Sequence, residues 1–250
     1  MAEQVIDELR IFRGEPFIIN SYLSIHSPTL GEICDYGEFN YFSTVQSFVS
    51  TPSNLMWQLE EQGIDFTKIT DWELFYYLLY KTFNLDNASI LFGDFDFSLL
   101  NQYVDPASGK LYLAKKSRKK SQIIIDEYTY SLITNYIRKM HGMKKYERIP
   151  ANESTKKILI EDAKEEYLIN QCKEQHSFLK NLISSMVNSE GFKFNHYDVW
   201  NMNINAFLDS VERIKRIKSS TLLLQSGYSG FGINLEKIND KKQLDWLGDL

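Results

Sequence analysis

The stretch "TDWELFYYLLYKTF", residues 70–83, constrains the fold more than any other part of the chain. Thr70 and Glu73 have the spacing at which a hydroxyl caps an early helical N–H and a carboxylate reaches back to the capping residue. Trp72, Phe75, Tyr76, Leu79 and Phe83 follow at helical spacing, and Leu74, Tyr77 and Leu78 make the other face apolar too. A helix that is apolar all round needs cover on two sides, or it shows one face to a partner. Trp72, Phe75 and Leu79 are expected to point into the core.

A chain of 250 residues can bury such a helix, and 43% hydrophobic with 24% charged residues is a globular composition. Aromatics are high at 14%. A net charge of -5 argues against wholesale electrostatic capture of nucleic acid and leaves a local basic patch open. Two cysteines, Cys34 and Cys172, build neither a disulfide framework nor a cysteine-rich metal site, so a reducing, intracellular setting fits. The start "MAEQVIDELRIF" lacks a basic, apolar secretory leader, and no apolar run approaches the roughly 18 residues of a membrane span. A soluble, cytoplasmic protein is expected.

The predicted fold class is α+β, dominated by helices, with a small N-terminal β-sheet and a central β-hairpin. Residues 9–26 read as a strand, a turn at Gly14-Glu15-Pro16 and one or two further strands. Ser27-Pro28 and Thr51-Pro52 read as helix starts, and Gly63 as a C-cap. Alternation in "SILFGDFDFSLL", "KLYLA" and "SQIIID" predicts a hairpin or three-stranded sheet between residues 88 and 126. Helices are expected over about 127–141, 153–188 and 196–224, the last capped by Asn195 and carrying the stripe Trp200, Ile204, Phe207, Val211 and Ile214. Residues 1–250 form one domain in this reading; "GMKKYERIPAN", 142–152, is either a subdivision point or a helix connection.

Catalytic chemistry finds no motif. The four histidines, His26, His141, His176 and His196, show no H-E-x-x-H and no zinc-finger pairing with cysteine, and G-x-S-x-G is missing. Asp94 and Asp96 could face a cation from one side of a strand, but Phe95 and Phe97 facing the core explain the same letters. "GYSGFG" follows a predicted helix instead of a strand, so Gly227 reads as a helix C-cap, and Gly230 and Gly232 as a turn, not as a phosphate loop. No catalytic residue, cofactor or metal is expected.

Two interaction features remain. The run "KKSRKK", with Lys115, Lys116, Arg118, Lys119 and Lys120, reads as a solvated hairpin tip, with an acidic partner or nucleic acid as alternatives. The last residues hold too many apolar side chains for an idle tail. Docking on the chain's own helices is expected at least through Ile238, with Leu244, Trp246, Leu247 and Leu250 as candidates for a partner contact, and Asp240, Asp245 and Asp249 would keep a free tail soluble.

Three stretches, "SPTLGEICDYGEFNYFSTVQSFVSTPSNLMWQLEEQGIDFTKITDWELFYYLL", the helical middle and "LLLQSGYSGFGINLEKINDKKQLDWLGDL", resemble proteins encoded among the tail-morphogenesis genes of tailed bacteriophages, mainly of Gram-positive hosts. The resemblance covers the N-terminal third and the last thirty or so residues, with a looser middle. It implies a tail assembly chaperone in the host cytoplasm that keeps tail components, the tape measure or the tail tube, from aggregating; it assigns no role to any single residue. A homo-oligomer is compatible with it, and so is a virion subunit such as a connector or baseplate part. A nucleic-acid-binding or host-takeover protein acting through the basic run is the alternative of another class.

Overall fold

A computed structural model describes residues 6–115, 122–171, 173–229 and 232–248. The chain opens with α1 (Glu8–Phe12), not the expected strand. Asp7 decides this locally, since its Oδ1 accepts from the N–H groups of Leu9 at 3.0 Å and Arg10 at 3.4 Å. Strands β1 (Phe17–Ile18) and β2 (Ser24–Ile25) then pair antiparallel, so the N-terminal sheet is a short hairpin.

Helix α2 (Leu30–Tyr36) starts two residues later than Ser27-Pro28 implied, because Thr29 and Glu32 form the capping box. Gly37, at φ +97°, separates it from α3 (Glu38–Val49). Thr51-Pro52 opens a 3₁₀ turn, Pro52–Asn54, that leads into α4 (Met56–Glu61), and Gly63 at φ +72° ends that helical stretch as expected.

The Thr70–Glu73 box forms, with Thr70 Oγ1 accepting from the Glu73 N–H at 3.1 Å and Glu73 Oε2 from the Thr70 N–H at 2.8 Å. It begins α5 (Asp71–Leu74), which widens into a π turn, Phe75–Leu79, and tightens into a 3₁₀ turn, Tyr80–Thr82. The pitch changes along a segment that is buried on two sides. Trp72, Phe75 and Tyr76 enter the main core, Leu74 and Leu78 a second cluster, and half-buried Leu79 touches both.

Residues 85–92 are α6 (Leu85–Phe92), correcting the strand read into "SILF". Asn84 and Asn87 cap each other reciprocally, at 3.1 and 2.8 Å, and override the alternation. Asp96 caps the 3₁₀ turn Phe97–Leu99 by accepting from the Ser98 N–H at 2.9 Å, while Phe97 is buried. The three-stranded antiparallel sheet that follows has the order β3 (Leu100–Val104), β4 (Leu111–Lys115), β5 (Gln122–Asp126). A register shift between Leu113 and Ala114 lets two consecutive residues of β4 be buried.

Helix α7 (Glu127–Met140) matches its predicted span and is capped by Asp126, whose Oδ1 accepts from the Thr129 N–H at 2.8 Å. The expected helix over 153–188 is two, α8 (Glu153–Gln171) and α9 (Phe178–Val187). The last helix, α10 (Ile204–Tyr228), is capped by Asn203. Asn195 instead caps the turn before it, accepting from the N–H groups of Tyr197 and Asp198.

Ring-on-ring contacts, stacked and tilted, run through the main core. Phe48 lies 3.8 Å from Phe83, 4.7 Å from Phe92 and 5.3 Å from Phe97, centroid to centroid, and Phe75 stacks on Tyr130 at 4.6 Å. The starts of α2 and α10 are joined backbone to backbone: the Leu30 N–H donates to the Met202 carbonyl and the Ile204 N–H to the Pro28 carbonyl, both at 2.9 Å. Asn203 Nδ2 also donates to the Phe12 carbonyl at 3.0 Å. Gly14 suits this junction, with φ +75° and little space for a Cβ, which would sit 3.0 Å from Asn203 Nδ2.

Candidate interaction site

Helix α10 is rooted at one end only. Ile204 and Phe207 are buried, and Val211 and Ile214 pack against the core; farther along, one face of the helix is covered by the chain's own C-terminal segment. Arg213, Arg216 and Ser220 stand three and four apart on one face of α10. Arg213 Nη1 donates to the carbonyls of Trp246 at 2.8 Å and Gly248 at 2.9 Å. Arg216 donates from Nε to the Asp245 carbonyl at 2.9 Å and from Nη2 to that of Lys242 at 3.2 Å. The buried Ser220 hydroxyl donates to the Gln243 carbonyl at 2.8 Å.

The segment is therefore gripped by its backbone, and its side chains are left to face outward. Leu244 is half-buried, whereas Trp246 is 47% and Leu247 72% exposed. Leu250 lies outside the described residues. Docking extends past Ile238 to Gly248, and Trp246 and Leu247 remain exposed within the docked segment.

The glycines before this segment permit close approach. Gly227 lies inside α10, which corrects its reading as a C-cap, and a Cβ there would collide with the Leu235 side chain. A Cβ on Gly232 would meet the backbone of Ser226. Gly230 lies outside the described residues.

Helix α8 is a second exposed element. Its 19 residues include none that is fully buried; Leu159, Ile160 and Ala163 rest on the cluster of Met56, Leu59, Phe66 and Leu74. Lys156 fixes its start to Asp65 at 2.8 Å, and the same contact holds the Asp65 carboxyl well below its ordinary range. Its last turns carry Leu168 at 53% and Ile169 at 51% exposure.

A cleft of about 560 Å³ opens between α7, the start of α5 and residues 145–150. Sequence reasoning missed it, although Arg138 stands in register with buried Tyr130 and Thr134 on α7 and with His141 just after it. Arg138 is 7% exposed, lines the cleft and donates from Nη2 to the Val49 carbonyl at 2.8 Å.

The other sequence candidates are scattered. Lys115 is exposed at the end of β4; Lys116, Arg118, Lys119 and Lys120 lie outside the described residues. β4 and β5, which flank this run, do pair as hairpin partners. Asp94 and Cys34 are exposed, and Cys172 lies outside the described residues. His141 is buried between two partners. Its Nδ1 lies 2.8 Å from the Ile137 carbonyl, which only accepts, so Nδ1 carries the proton and Nε2 accepts from the Tyr41 hydroxyl at 2.7 Å. Burial pulls the His141 pKa down to about 4. Among the described residues, no group of three or more His, Cys, Asp or Glu side chains is placed to hold a metal ion.

No helix among the described residues is long and apolar enough to cross a membrane. The chain matches no family model, no curated protein and no solved structure.

Proposed function

We propose that this chain is a protein–protein interaction protein of bacteriophage tail assembly, acting as a tail assembly chaperone in the host cytoplasm. One observation carries the reading: α8 and the outer part of α10 expose apolar side chains that the fold leaves uncovered, Ile158, Leu168 and Ile169 on the first and Leu222 and Tyr228 on the second. A tape measure is a long helical protein with apolar seams, and helices of this kind are suited to cover such seams until assembly. In this role the chain binds and does not catalyse.

Co-expression with the tape-measure protein tests it. The chain is expected to keep the tape measure in the soluble fraction and to co-purify with it, and a Leu168→Asp, Ile169→Asp double variant is expected to lose both effects while melting normally. A tape measure equally soluble without the chain would refute the reading. Mass spectrometry of purified particles then separates chaperone from virion subunit, since a chaperone is absent or scarce and a connector or baseplate part is present in fixed copy number.

A further inference from the structure

Arg138 is a buried cation for which no described residue supplies a counter-ion at contact distance. Among the described residues no carboxylate lies within 4 Å of its guanidinium, and its single hydrogen bond goes to the neutral Val49 carbonyl. The described side-chain atoms that are both fully buried and unpaired are Ser27 Oγ and Gln58 Oε1, so the open donors of Arg138 are not sealed in. Arg138 itself lines the cleft. A guanidinium held this deep is stabilised by an anion that fits its planar fork.

The rest of the cleft narrows the anion's identity. Lys145 contacts Asp71 at 3.0 Å and Glu147 at 3.8 Å, so two of the acids lining the cleft already have a cation. Glu127 is exposed in the first turn of α7, and Arg148 is exposed, its guanidinium over the Tyr146 ring at 5.5 Å. The three acids of the lining, Asp71, Glu127 and Glu147, are matched by Lys145, Arg148 and Arg138, so the cleft holds no surplus positive charge for a compact multiply charged anion, and a single carboxylate asks less of it. Phe66, Ile69, Trp72, Ile149 and Pro150 supply an apolar wall beside the cation. That pairing of one deep cation with an apolar wall, in a volume suited to a small ligand, matches a carboxylate flanked by aliphatic side chains.

We propose that the Arg138 cleft binds a short peptide segment through a single carboxylate, with Arg138 forming the bidentate contact. This goes beyond the tail-assembly reading and stands or falls separately from it. The carboxylate belongs either to an acidic side chain or to a chain terminus, and the test distinguishes these sources.

Three probe peptides are titrated against the full chain while the Trp72 indole resonance is followed: acetyl-Ala-Leu-Leu with a free C-terminus, acetyl-Ala-Leu-Asp-amide, and the neutral acetyl-Ala-Leu-Asn-amide. Saturable shifts with the first or the second, at least tenfold weaker with the third, are expected, and the stronger of the two names the source. Arg138→Gln should weaken the best peptide about tenfold or more, and Arg138→Lys only partly restores it because the fork is lost. Should Arg138→Gln fail to fold, Ser131→Trp provides the check, since Ser131 is exposed and lines the cleft; it should block binding at unchanged melting temperature. No saturation at millimolar peptide, equal binding of the neutral peptide, inorganic phosphate binding more tightly than either carboxylate, or binding unaltered by both variants would each overturn the proposal.

Discussion

The aromatic core and the C-terminal arm are held by opposite means. Around Phe48 the contacts are ring on ring, without charge, and assembled from α3, the α5 turns, α6 and α7. On α10 they are hydrogen bonds from Arg213, Arg216 and Ser220 to carbonyls, largely at the surface. Burial of large apolar side chains contributes several kcal/mol per residue, whereas exposed polar contacts contribute little net free energy because water competes for them. The core is thus the part that decides whether the chain folds. The arm is fastened well enough to be placed, and lightly enough to be lifted.

The sharpest test of this contrast is Phe48→Ala, which opens a cavity among four rings and should cost about 3 to 5 kcal/mol in urea unfolding. Trp72→Ala should fall in the same range; if it leaves stability intact while removing partner binding, the α5 helix belongs with the arm as a binding surface.

Next in size is a pH effect confined to the core. His141 has a folded pKa of about 4 against an ordinary 6.5, so the unfolded chain binds the proton more readily between those values. Stability should therefore fall as pH drops from 6.5 toward 4, by on the order of 3 kcal/mol for this group, and should be insensitive to it above 6.5. Thermal melts across that window, repeated on His141→Phe, should show a shallower slope in the variant.

Truncation after Asn239 removes every carbonyl that Arg213, Arg216 and Ser220 engage between Lys242 and Gly248. The unfolding midpoint should move by no more than about 1 to 2 kcal/mol, and proteolysis should now cut within the outer turns of α10. Global unfolding of the truncated chain would erase the distinction between the two regions. Least of all, Lys164→Ala, which breaks the exposed 2.8 Å contact with Glu61, should change stability by about 0.5 kcal/mol or less by chemical denaturation.

What could be read from the sequence follows the same divide. Thr70 and Glu73, Gly63, and the span of α7 were legible because caps and periodicity are local. The "SILF" segment misled because Ser89, Ile90, Leu91 and Phe92 are as compatible with a strand as with a helix, and Asn at both Asn84 and Asn87 is a less familiar reciprocal cap than Thr with Glu. Asn195 and Asn203 are equally good caps on paper. The choice falls to Asn203 through its bridge to Thr29, a contact across 174 positions. Trp246 and Leu247 were legible as surplus apolar residues, but their mooring was not, because its acceptors are backbone carbonyls that any sequence possesses. The Arg138 cleft draws on residues 51–53, 66–72, 127–138 and 145–150, and only the misplaced charge on an apolar stripe marked it.

The join between α2 and α10 bears on the order of events at the ribosome. The Leu30 N–H and the Pro28 carbonyl find their partners in Met202 and Ile204, so this join waits until residue 204 has been made. Until then α2 has α3 and α6 beside it but not the turn around Val199 or the start of α10, so part of the cover over Leu30 and Ile33 comes late and leaves the nascent chain open to misassociation. Ribosome-stalled chains ending at residue 195 should accordingly be cut by protease between residues 26 and 37, and chains long enough to expose residue 230 should resist; protection at the shorter length would mean that the N-terminal third completes itself without α10.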